Sequence, residues 1–430
     1  MTQTSMSLPT VSFAELKSRF LEREETALLD VREEHPFAQA HPLWAANLPL
    51  SRLVADAWRR IPRRDTFIVL YGEVEGEDLV PRATAQLVAL GYTNLHRLDG
   101  GLEGWRAAGG ELFRDVNVPS KAFGELVEHE RHTPSLSAQE VKALVDAKAN
   151  VVVLDARRFD EYQTMSIPSA TSVPGAELVL RVRALAPDPA TQVIVNCAGR
   201  TRSIIGTQSL VNAGIPNQVA ALRNGTIGWK LAGQVLDHGA DRRAPRNVDA
   251  ADRAQAQASA QGVARHAGVR FIRLDQVPSL EAPQRTVYRF DVRTPEEFEA
   301  GHLPGFASAP GGQLVQETDH HVPVRGARIV LADDDGVRAA MSASWLAQMG
   351  WEVYAVHGAD ASSFTETGRP AGSVPSIDPA LTQRAPVPER YRRPYEGTDA
   401  SPEAMQAYLD WEFGLVEQLA RDGTHHFRVL

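Results

Sequence analysis

The sequence predicts an α/β protein with three tandem domains, each a mainly parallel sheet flanked by helices, followed by a C-terminal helical tail. The chain has 430 residues, which allows roughly three domains of ordinary size. An apolar run that ends in Asp-x-Arg occurs three times, at Asp30, Asp155 and Asp291, so the chain contains an internal repeat. Within each copy, strand-like runs alternate with helical segments, which is typical of parallel sheets covered by helices.

The elements of each copy follow in the same order. The first two copies open on a helix with a capping-box signature, at Ser12 and Ser137. After the Asp-x-Arg strand, each copy has a second short apolar run, rich in β-branched residues, which predicts a buried strand. These runs are residues 67–71, 192–196 and 328–332. A helical segment follows in each copy and ends near a glycine, as helices commonly do; these glycines are Gly91, Gly214 and Gly350.

The repeat and the composition between the copies divide the chain into four parts. We expect domains at 1–120, 121–245 and 246–365, with a linker and C-terminal helix at 366–430. Residues 114–134 carry mixed charge with little periodicity, residues 240–262 indicate a helix or a flexible tether, and residues 362–402 are rich in Pro, Gly and Ser. The last helix begins at Ser401-Pro402-Glu403. Its apolar side chains, from Tyr408 to Leu415, are expected to pack on a domain; binding of a partner is the alternative.

Composition excludes several classes of function. The net charge is −9, with 45 basic and 54 acidic residues, which argues against general nucleic-acid binding because that needs basic patches. No apolar run approaches the roughly 20 residues that span a bilayer, and the N-terminus has no signal-peptide pattern, so we expect a cytoplasmic protein without membrane contact. A single cysteine, Cys197, excludes internal disulfides and the usual structural zinc patterns.

Cys197 lies where reactive thiols are found. It follows the predicted strand at residues 192–196 and precedes a helix, in the segment Cys197-Ala198-Gly199-Arg200-Thr201-Arg202-Ser203. Unpaired backbone N–H groups at a helix start favour an anion, and two arginines add positive charge. The thiol pKa is therefore expected below its reference of about 8.5.

These motifs together resemble the rhodanese homology domain, over about residues 10–113, 135–236 and 268–360. The resemblance rests on the Asp-x-Arg strand, the Gly301-His302-Leu303-Pro304-Gly305 run of the third copy and the cysteine loop between strand and helix. It implies a thiosulfate-type sulfurtransferase in which Cys197 carries sulfur as a persulfide, with ping-pong kinetics. It also implies that the donor binds to the loop residues Ala198, Gly199, Arg200, Thr201, Arg202 and Ser203.

The resemblance implies the other participants too. A thiosulfate-like anion is the expected sulfur donor, and cyanide or a thiol is the expected acceptor. No metal and no organic cofactor is needed for this chemistry. Asp155 and Arg157 are expected to form a polar pair that supports the loop, and Ser166 takes a place where the other copies have His41 and His302.

Other functions stay open at this point. A non-catalytic sulfur carrier or scaffold, loaded by a partner protein, is the main alternative. A 3-mercaptopyruvate sulfurtransferase is weaker, because the neutral Cys-Gly-Ser-Gly-Val loop is absent. A cysteine phosphatase or arsenate reductase is weaker still, because only four residues separate Cys197 from Arg202, one fewer than in the phosphatase loop.

The first and third copies lack the thiol. Alignment on the strand places Gly72 and Asp333 at the position of Cys197, and Arg338 at that of Arg202. A carboxylate cannot carry sulfane sulfur, so both copies are predicted to be non-catalytic and to form cleft walls or docking surfaces. The residues Asp333–Asp335 are interpreted as a solvated acidic loop rather than a metal site.

Overall fold

The computed structural model describes residues 8–74, 76–281, 285–359, 361–368, 377–382 and 387–430, with Ala361 and Pro379 as backbone alone. Residues 1–7, Glu75 in the acidic loop of the first copy, and parts of the predicted 362–402 linker lie outside the described residues. The described chain forms three five-stranded parallel sheets, each flanked by helices, and the predicted fold class is confirmed.

The first copy extends from Thr10 to Ala107. Its elements are β1 (Thr10–Val11), α1 (Phe13–Leu21), β2 (Thr26–Asp30), α2 (Glu34–Gln39), β3 (Ala45–Asn47), α3 (Leu53–Arg60), β4 (Phe67–Tyr71), the small hairpin β5 (Glu73–Val74) and β6 (Glu77–Asp78), α4 (Val80–Ala89), β7 (Leu95–Leu98) and α5 (Gly101–Ala107). Ser12 is the N-cap of α1, and its hydroxyl accepts a hydrogen bond from the Glu15 N–H at 3.2 Å. The return bond from the Glu15 side chain, which would complete the predicted capping box, is not formed between these two described residues.

The second copy is preceded by a helix, α6 (Val118–Arg131). Its own elements are β8 (Ser135–Leu136), α7 (Ala138–Asp146), β9 (Val151–Asp155), α8 (Phe159–Thr164), β10 (Thr171–Ser172), α9 (Leu178–Leu185), β11 (Gln192–Asn196), α10 (Thr201–Asn212), β12 (Val219–Leu222) and α11 (Gly225–Leu231). The predicted capping box is present at the start of α7, where Ser137 and Glu140 bond each other's backbone.

The third copy and the tail complete the chain. Their elements are α12 (Ala250–His266), β13 (Arg270–Arg273), β14 (Val287–Asp291), α13 (Pro295–Ala300), β15 (Ala307–Ser308), α14 (Gly311–Gln316), α15 (Thr318–His321), β16 (Arg328–Ala332), α16 (Arg338–Gln348), β17 (Glu352–His357), α17 (Pro402–Phe413) and α18 (Leu415–Asp422). Gly91, Gly214 and Gly350, predicted as helix stops, all have the positive φ that L side chains avoid.

All three sheets have one strand order. It is β1-β7-β4-β2-β3 in the first copy, β8-β12-β11-β9-β10 in the second and β13-β17-β16-β14-β15 in the third. The strands β4, β11 and β16 lie at the centre of their sheets, and the residues that follow them are Gly72, Cys197 and Asp333. The predicted equivalence of these positions therefore holds in three dimensions, at the carboxyl ends of the strands, where open parallel sheets bind ligands.

Both segments that connect the copies contain a helix. Residues 114–134, which lack periodicity, contain α6, most of whose residues are buried. A helix buried on nearly all sides has no polar face, so it shows no amphipathic pattern. The 240–262 segment contains most of α12, a helix rather than a tether, which buries Ala256 and Ala260.

One apolar cluster joins all three copies, with Leu29, Val195 and Leu331 among its members. Of the helices in the described part of the chain, none is long and apolar enough to cross a membrane.

Candidate active site

The cysteine loop begins at the end of the central strand of the second sheet. Cys197 follows β11, and α10 starts at Thr201, so the loop is short and leads into a helix start as predicted. The Cys197 thiol donates a hydrogen bond to the Ser203 hydroxyl, with a sulfur–oxygen distance of 3.4 Å. The Ser203 hydroxyl in turn donates to the Arg200 carbonyl at 2.8 Å, which closes the loop on itself.

A second helix start fixes the outer side of the loop. The N–H groups of Thr226 and Ile227, in the first turn of α11, donate to the carbonyls of Cys197 and Ala198 at 2.9 and 3.0 Å. Gly225 has φ +54°, and a Cβ there would lie 2.3 Å from the Cys197 carbonyl oxygen, so only glycine fits. These α11 contacts were not predicted, although the Asn224-Gly225 turn was a signal in the sequence.

Asp155 and Arg157 form the polar pair that the sequence predicts. Arg157 donates to Asp155 through Nε and Nη2 at 2.9 and 2.8 Å, and Asn196, the last residue of β11, also donates to Asp155 at 2.8 Å. Arg157 bonds the Met165 carbonyl as well. The equivalent residues of the other copies make the same pair, Arg32 with Asp30 and Arg293 with Asp291. The pair is also present in the first and third copies, which have Gly72 and Asp333 in place of the cysteine. It therefore supports the loop in every copy, whether or not the copy has a thiol.

The position eleven residues after the aspartate is structural in all three copies. His41, Ser166 and His302 are buried, and each forms an isolated antiparallel bridge with a later residue, respectively Phe113, Asp237 and Glu366. The serine of the second copy therefore keeps the backbone contact of the two histidines.

Arg202 is the loop arginine whose charge acts on the Cys197 thiol. Its guanidinium donates to both carboxylate oxygens of Glu161, on α8, at 2.6 and 2.9 Å. The positive charge of Arg202 acts on Cys197 and lowers the thiol pKa, against the effect of burial. This guanidinium also holds the pKa of Glu161 down to about 2.

Arg200 has a different role from the predicted one. Its guanidinium binds both oxygens of Glu125 at 2.8 Å and also contacts Glu128, both on α6. It further donates to the Asn224 side chain at 3.1 Å. The prediction that Arg200 offers free positive charge to an anion is therefore wrong, because two carboxylates 72 and 75 positions earlier in the chain compensate that charge.

The C-terminal tail covers the loop. Tyr395, Tyr408 and Leu409 pack with Ala198 in one apolar cluster. A Cβ on Gly199 would lie 3.1 Å from Glu412 Oε2 and 3.2 Å from a Tyr408 ring carbon, so the glycine permits the helix α17 to approach. The tail therefore packs on a domain, as predicted: α17 lies against Ala198 and Gly199 and forms a roof over the cysteine loop. Phe413, in contrast, is 52% exposed.

The structure contradicts the predicted lowering of the Cys197 thiol pKa. Cys197 is 1% exposed, and its burial raises the thiol pKa above the ordinary value, with the charge of Arg202 and hydrogen bonding with Ser203 acting in opposition. The expectation of a lowered pKa considered the helix start and the arginines but not the burial of the thiol.

A cavity lies on the other side of Arg202. It has a volume of about 370 Å³, and its walls include Arg157, Arg202, Gln316 and Tyr395. Through Arg202 the cavity adjoins the cysteine loop, and its volume is sufficient for a small anion. Among the described residues, no group of three or more His, Cys, Asp or Glu side chains is arranged to hold a metal ion.

The loop of the third copy is filled by one of its own acidic side chains. Asp333 accepts hydrogen bonds from the N–H groups of Gly336 and Ala339, at 3.0 and 2.8 Å. Asp333 and Asp335 are buried and Arg338 pairs with Asp335 and, in the second copy, with Glu177. The interpretation as a solvated loop is therefore wrong for Asp333 and Asp335: the carboxyl group of Asp333 occupies the cradle that the backbone forms, and burial together with the nearby Asp335 raises its pKa well above the ordinary value.

The first copy has no room for a side chain at the equivalent position. A Cβ on Gly72 would lie 2.5 Å from a methyl carbon of Val31. The following acidic residues Glu73 and Asp78 pair with Arg97 at 3.0 and 2.5 Å. The loop of this copy is thus closed by a hairpin and its ion pairs.

Comparison with known proteins agrees with this geometry. The rhodanese-like domain family matches three segments, residues 12–108, 137–232 and 279–359, which together make up more than half of the chain. The chain belongs to the rhodanese-like family. The predicted resemblance is confirmed, and Cys197, the single cysteine of the chain, lies in the second rhodanese-like segment.

Two relatives extend the comparison. A crystal structure of a thiosulfate sulfurtransferase from Pseudomonas aeruginosa is 52% identical, covers 98% of this chain and 100% of its own, and superimposes with a TM-score of 0.94. An HTH-type transcriptional regulator from Mycobacterium tuberculosis is 31% identical over 90 residues, which are 21% of this rhodanese-like chain and 39% of the regulator. The first likeness includes the tail as well as the three rhodanese-like segments.

Proposed function

We propose that this protein is a thiosulfate sulfurtransferase that carries sulfur on Cys197. The observation that carries the proposal is the cysteine loop between β11 and α10, with the charge of Arg202 acting on the thiol. The whole-chain likeness to a thiosulfate sulfurtransferase supports it. Thiosulfate or a similar anion is the donor, and cyanide or a thiol is the acceptor.

The reaction has two half-steps. The thiolate of Cys197 attacks the outer sulfur of thiosulfate; a sulfur–sulfur bond forms on the enzyme, the donor's sulfur–sulfur bond breaks, and sulfite leaves with the electron pair. The acceptor then attacks the terminal sulfur of the persulfide, and the Cys197 thiolate leaves. With cyanide the product is thiocyanate. Such covalent catalysis gives ping-pong kinetics.

The loop residues have separate roles in this proposal. The backbone N–H groups from Ala198 to Arg202 line the sulfur, because the first N–H groups of a helix have no partner within it. Arg202 contributes charge to the donor, and Ser203 bonds the thiol. Arg200, Glu125 and the pair of Asp155 with Arg157 hold the loop in place.

The burial of Cys197 bears on the carrier alternative. A thiol that is 1% exposed under a helix is reached more easily by a small anion than by the cysteine of a second protein. We therefore favour turnover of small molecules over loading by a partner protein. A cytoplasmic location completes the proposal, because a reducing compartment keeps a lone thiol free.

Steady-state rates test the proposed function. The purified protein is assayed with thiosulfate, 3-mercaptopyruvate and glutathione persulfide as donors and cyanide as acceptor. We expect thiosulfate to give the highest kcat/KM and parallel lines in double-reciprocal plots. A higher kcat/KM with 3-mercaptopyruvate would overturn the donor assignment. Loading only in the presence of a donor protein would establish the carrier function instead.

A further inference from the structure

The tail places one carboxyl group against the cysteine loop. Glu412 lies on α17, is 1% exposed, and has its Oε2 atom 3.1 Å from where a Cβ on Gly199 would lie. Its Oε1 accepts a hydrogen bond from the Tyr408 hydroxyl at 2.9 Å. Its Oε2 is buried and has no hydrogen-bond partner among the described residues. An unpartnered buried carboxyl oxygen is costly when it carries charge.

The charged neighbours of Glu412 are already engaged elsewhere. On α6, Lys121 donates to Asp115 at 2.6 Å, and Glu125 binds Arg200 of the loop. The other titratable groups near it are Tyr408 on its own helix and Tyr395, which packs edge-on against Tyr408. From α11, Ile227 and Leu231 lie in the apolar cluster that contains Tyr408. No described cation is paired with Glu412 itself.

This environment favours the protonated carboxyl. Burial and the nearby carboxylate of Glu125 raise the pKa of Glu412 to about 8, and Lys121 opposes them. Near neutral pH, Glu412 is therefore a neutral group beside the thiol; in more alkaline solution it becomes an anion. An ionised Glu412 would raise the pKa of Cys197 too, since the two groups interact.

We propose that Glu412 selects the charge of the molecule that reaches Cys197. Its protonated carboxyl admits an anion to the loop, and its carboxylate repels one. The inference deepens the proposed function, because it takes Cys197 as the nucleophile and an anion as its substrate, and it assigns a specificity-determining role to a residue outside the three matched family segments.

Two alkylating reagents test this without any sulfur transfer. Iodoacetate and iodoacetamide present the same carbon to the same thiolate and differ by one negative charge. The ratio of their rates therefore cancels the ionisation of Cys197 and reports only the cost of bringing an anion to it. Since the chain has one cysteine, incorporation of either reagent is measured directly by intact mass.

We expect the iodoacetate-to-iodoacetamide ratio to fall about tenfold between about pH 6 and pH 10, as expected for a unit charge in partly desolvated surroundings. In Glu412→Gln, which keeps the shape of the protonated carboxyl, the ratio stays constant. Glu403→Gln, a charge removal at an exposed site of the same helix, behaves like the unaltered protein. Over the same pH range, the kcat/KM for thiosulfate in Glu412→Gln rises increasingly above that of the unaltered protein, a comparison in which the ionisation of Cys197 largely cancels.

Three results would overturn the proposal. They are a constant ratio in the unaltered protein, an equal fall in Glu412→Gln, and no labelling of the native protein by either reagent. The first of these results is measured on the unaltered protein alone, so the proposal can be tested even if Glu412→Gln does not fold. If the ratio falls as expected but no donor is turned over, the proposed function fails alone; if thiosulfate is turned over and the ratio is constant, this inference fails alone.

Discussion

Replacing either arginine of the cysteine loop by alanine is expected to change a different property of the protein: donor binding for one and folding stability for the other. The charge of Arg202 acts on the Cys197 thiol and its side chain lines the neighbouring cavity, whereas Arg200 is bound to Glu125 and Glu128 on α6. Arg202→Ala should therefore raise the KM for thiosulfate. Arg200→Ala should lower stability and leave this KM close to that of the unaltered protein.

The magnitudes follow from the contacts. A hydrogen bond to a charged group contributes about 1.5–3 kcal/mol, which corresponds to roughly ten- to a hundredfold in affinity. Glu161 already neutralises part of the charge on Arg202, so we expect about tenfold, the lower end of that range. Loss of Arg200 leaves the buried carboxylate of Glu125 unpaired, which costs about 3–5 kcal/mol of folding stability.

Steady-state kinetics and thermal unfolding of the two variants provide the assay. Varying cyanide at saturating thiosulfate gives the control, because the acceptor half-reaction depends less on the donor site. A tenfold rise in the thiosulfate KM for Arg200→Ala, with an unchanged unfolding midpoint, would refute our assignment of the two side chains. Equal effects of both variants on donor and acceptor would indicate collapse of the loop rather than loss of an anion contact.

Three further predictions concern the residues around the loop and its counterpart in the third copy. Asp333→Asn should leave the rate of sulfur transfer almost unchanged, because Asp333 fills its own cradle; a large loss of turnover would show that the third copy takes part in the chemistry. The pKa of Glu161 is lowered from 4.5 to about 2, so its carboxylate stabilises the fold above about pH 4.5 and this contribution is lost as the pH falls towards 2; urea unfolding across that window should show a weaker pH dependence in Glu161→Gln, and an identical dependence would contradict the ion pair. Asp155→Ala leaves Arg157 buried without its partner and should cost about 3–5 kcal/mol, which thermal unfolding measures; a change under 1 kcal/mol would show that the pair is dispensable.

Much of the fold is predictable because its signals are local. A buried strand ending in Asp-x-Arg, a Ser with Glu three residues later and a glycine after a helix each depend on a few neighbouring residues. Repetition at a similar spacing then reveals the three copies, and the strand before Cys197 positions the loop. The pair of Asp155 and Arg157 is predictable for the same reason, since only one residue separates its members.

The rest depends on contacts between distant segments. The partners of Arg200 come from α6, a helix without an amphipathic pattern because it is buried on nearly all sides. The roof over Gly199 comes from Glu412 and Tyr408, more than 200 residues later in the chain. The burial of Cys197 raises the pKa of its thiol, and no property of the loop sequence alone indicates it.

The central claim is that sulfur passes through Cys197, and the mass of the intact protein tests it most directly. After incubation with thiosulfate and removal of small molecules, we expect the protein to gain the mass of one sulfur atom, and cyanide to restore the original mass with release of thiocyanate. Cys197→Ser should show neither the gain nor turnover. Turnover of thiosulfate by Cys197→Ser, or turnover by the unaltered protein without a cyanide-labile sulfur adduct, would contradict the account.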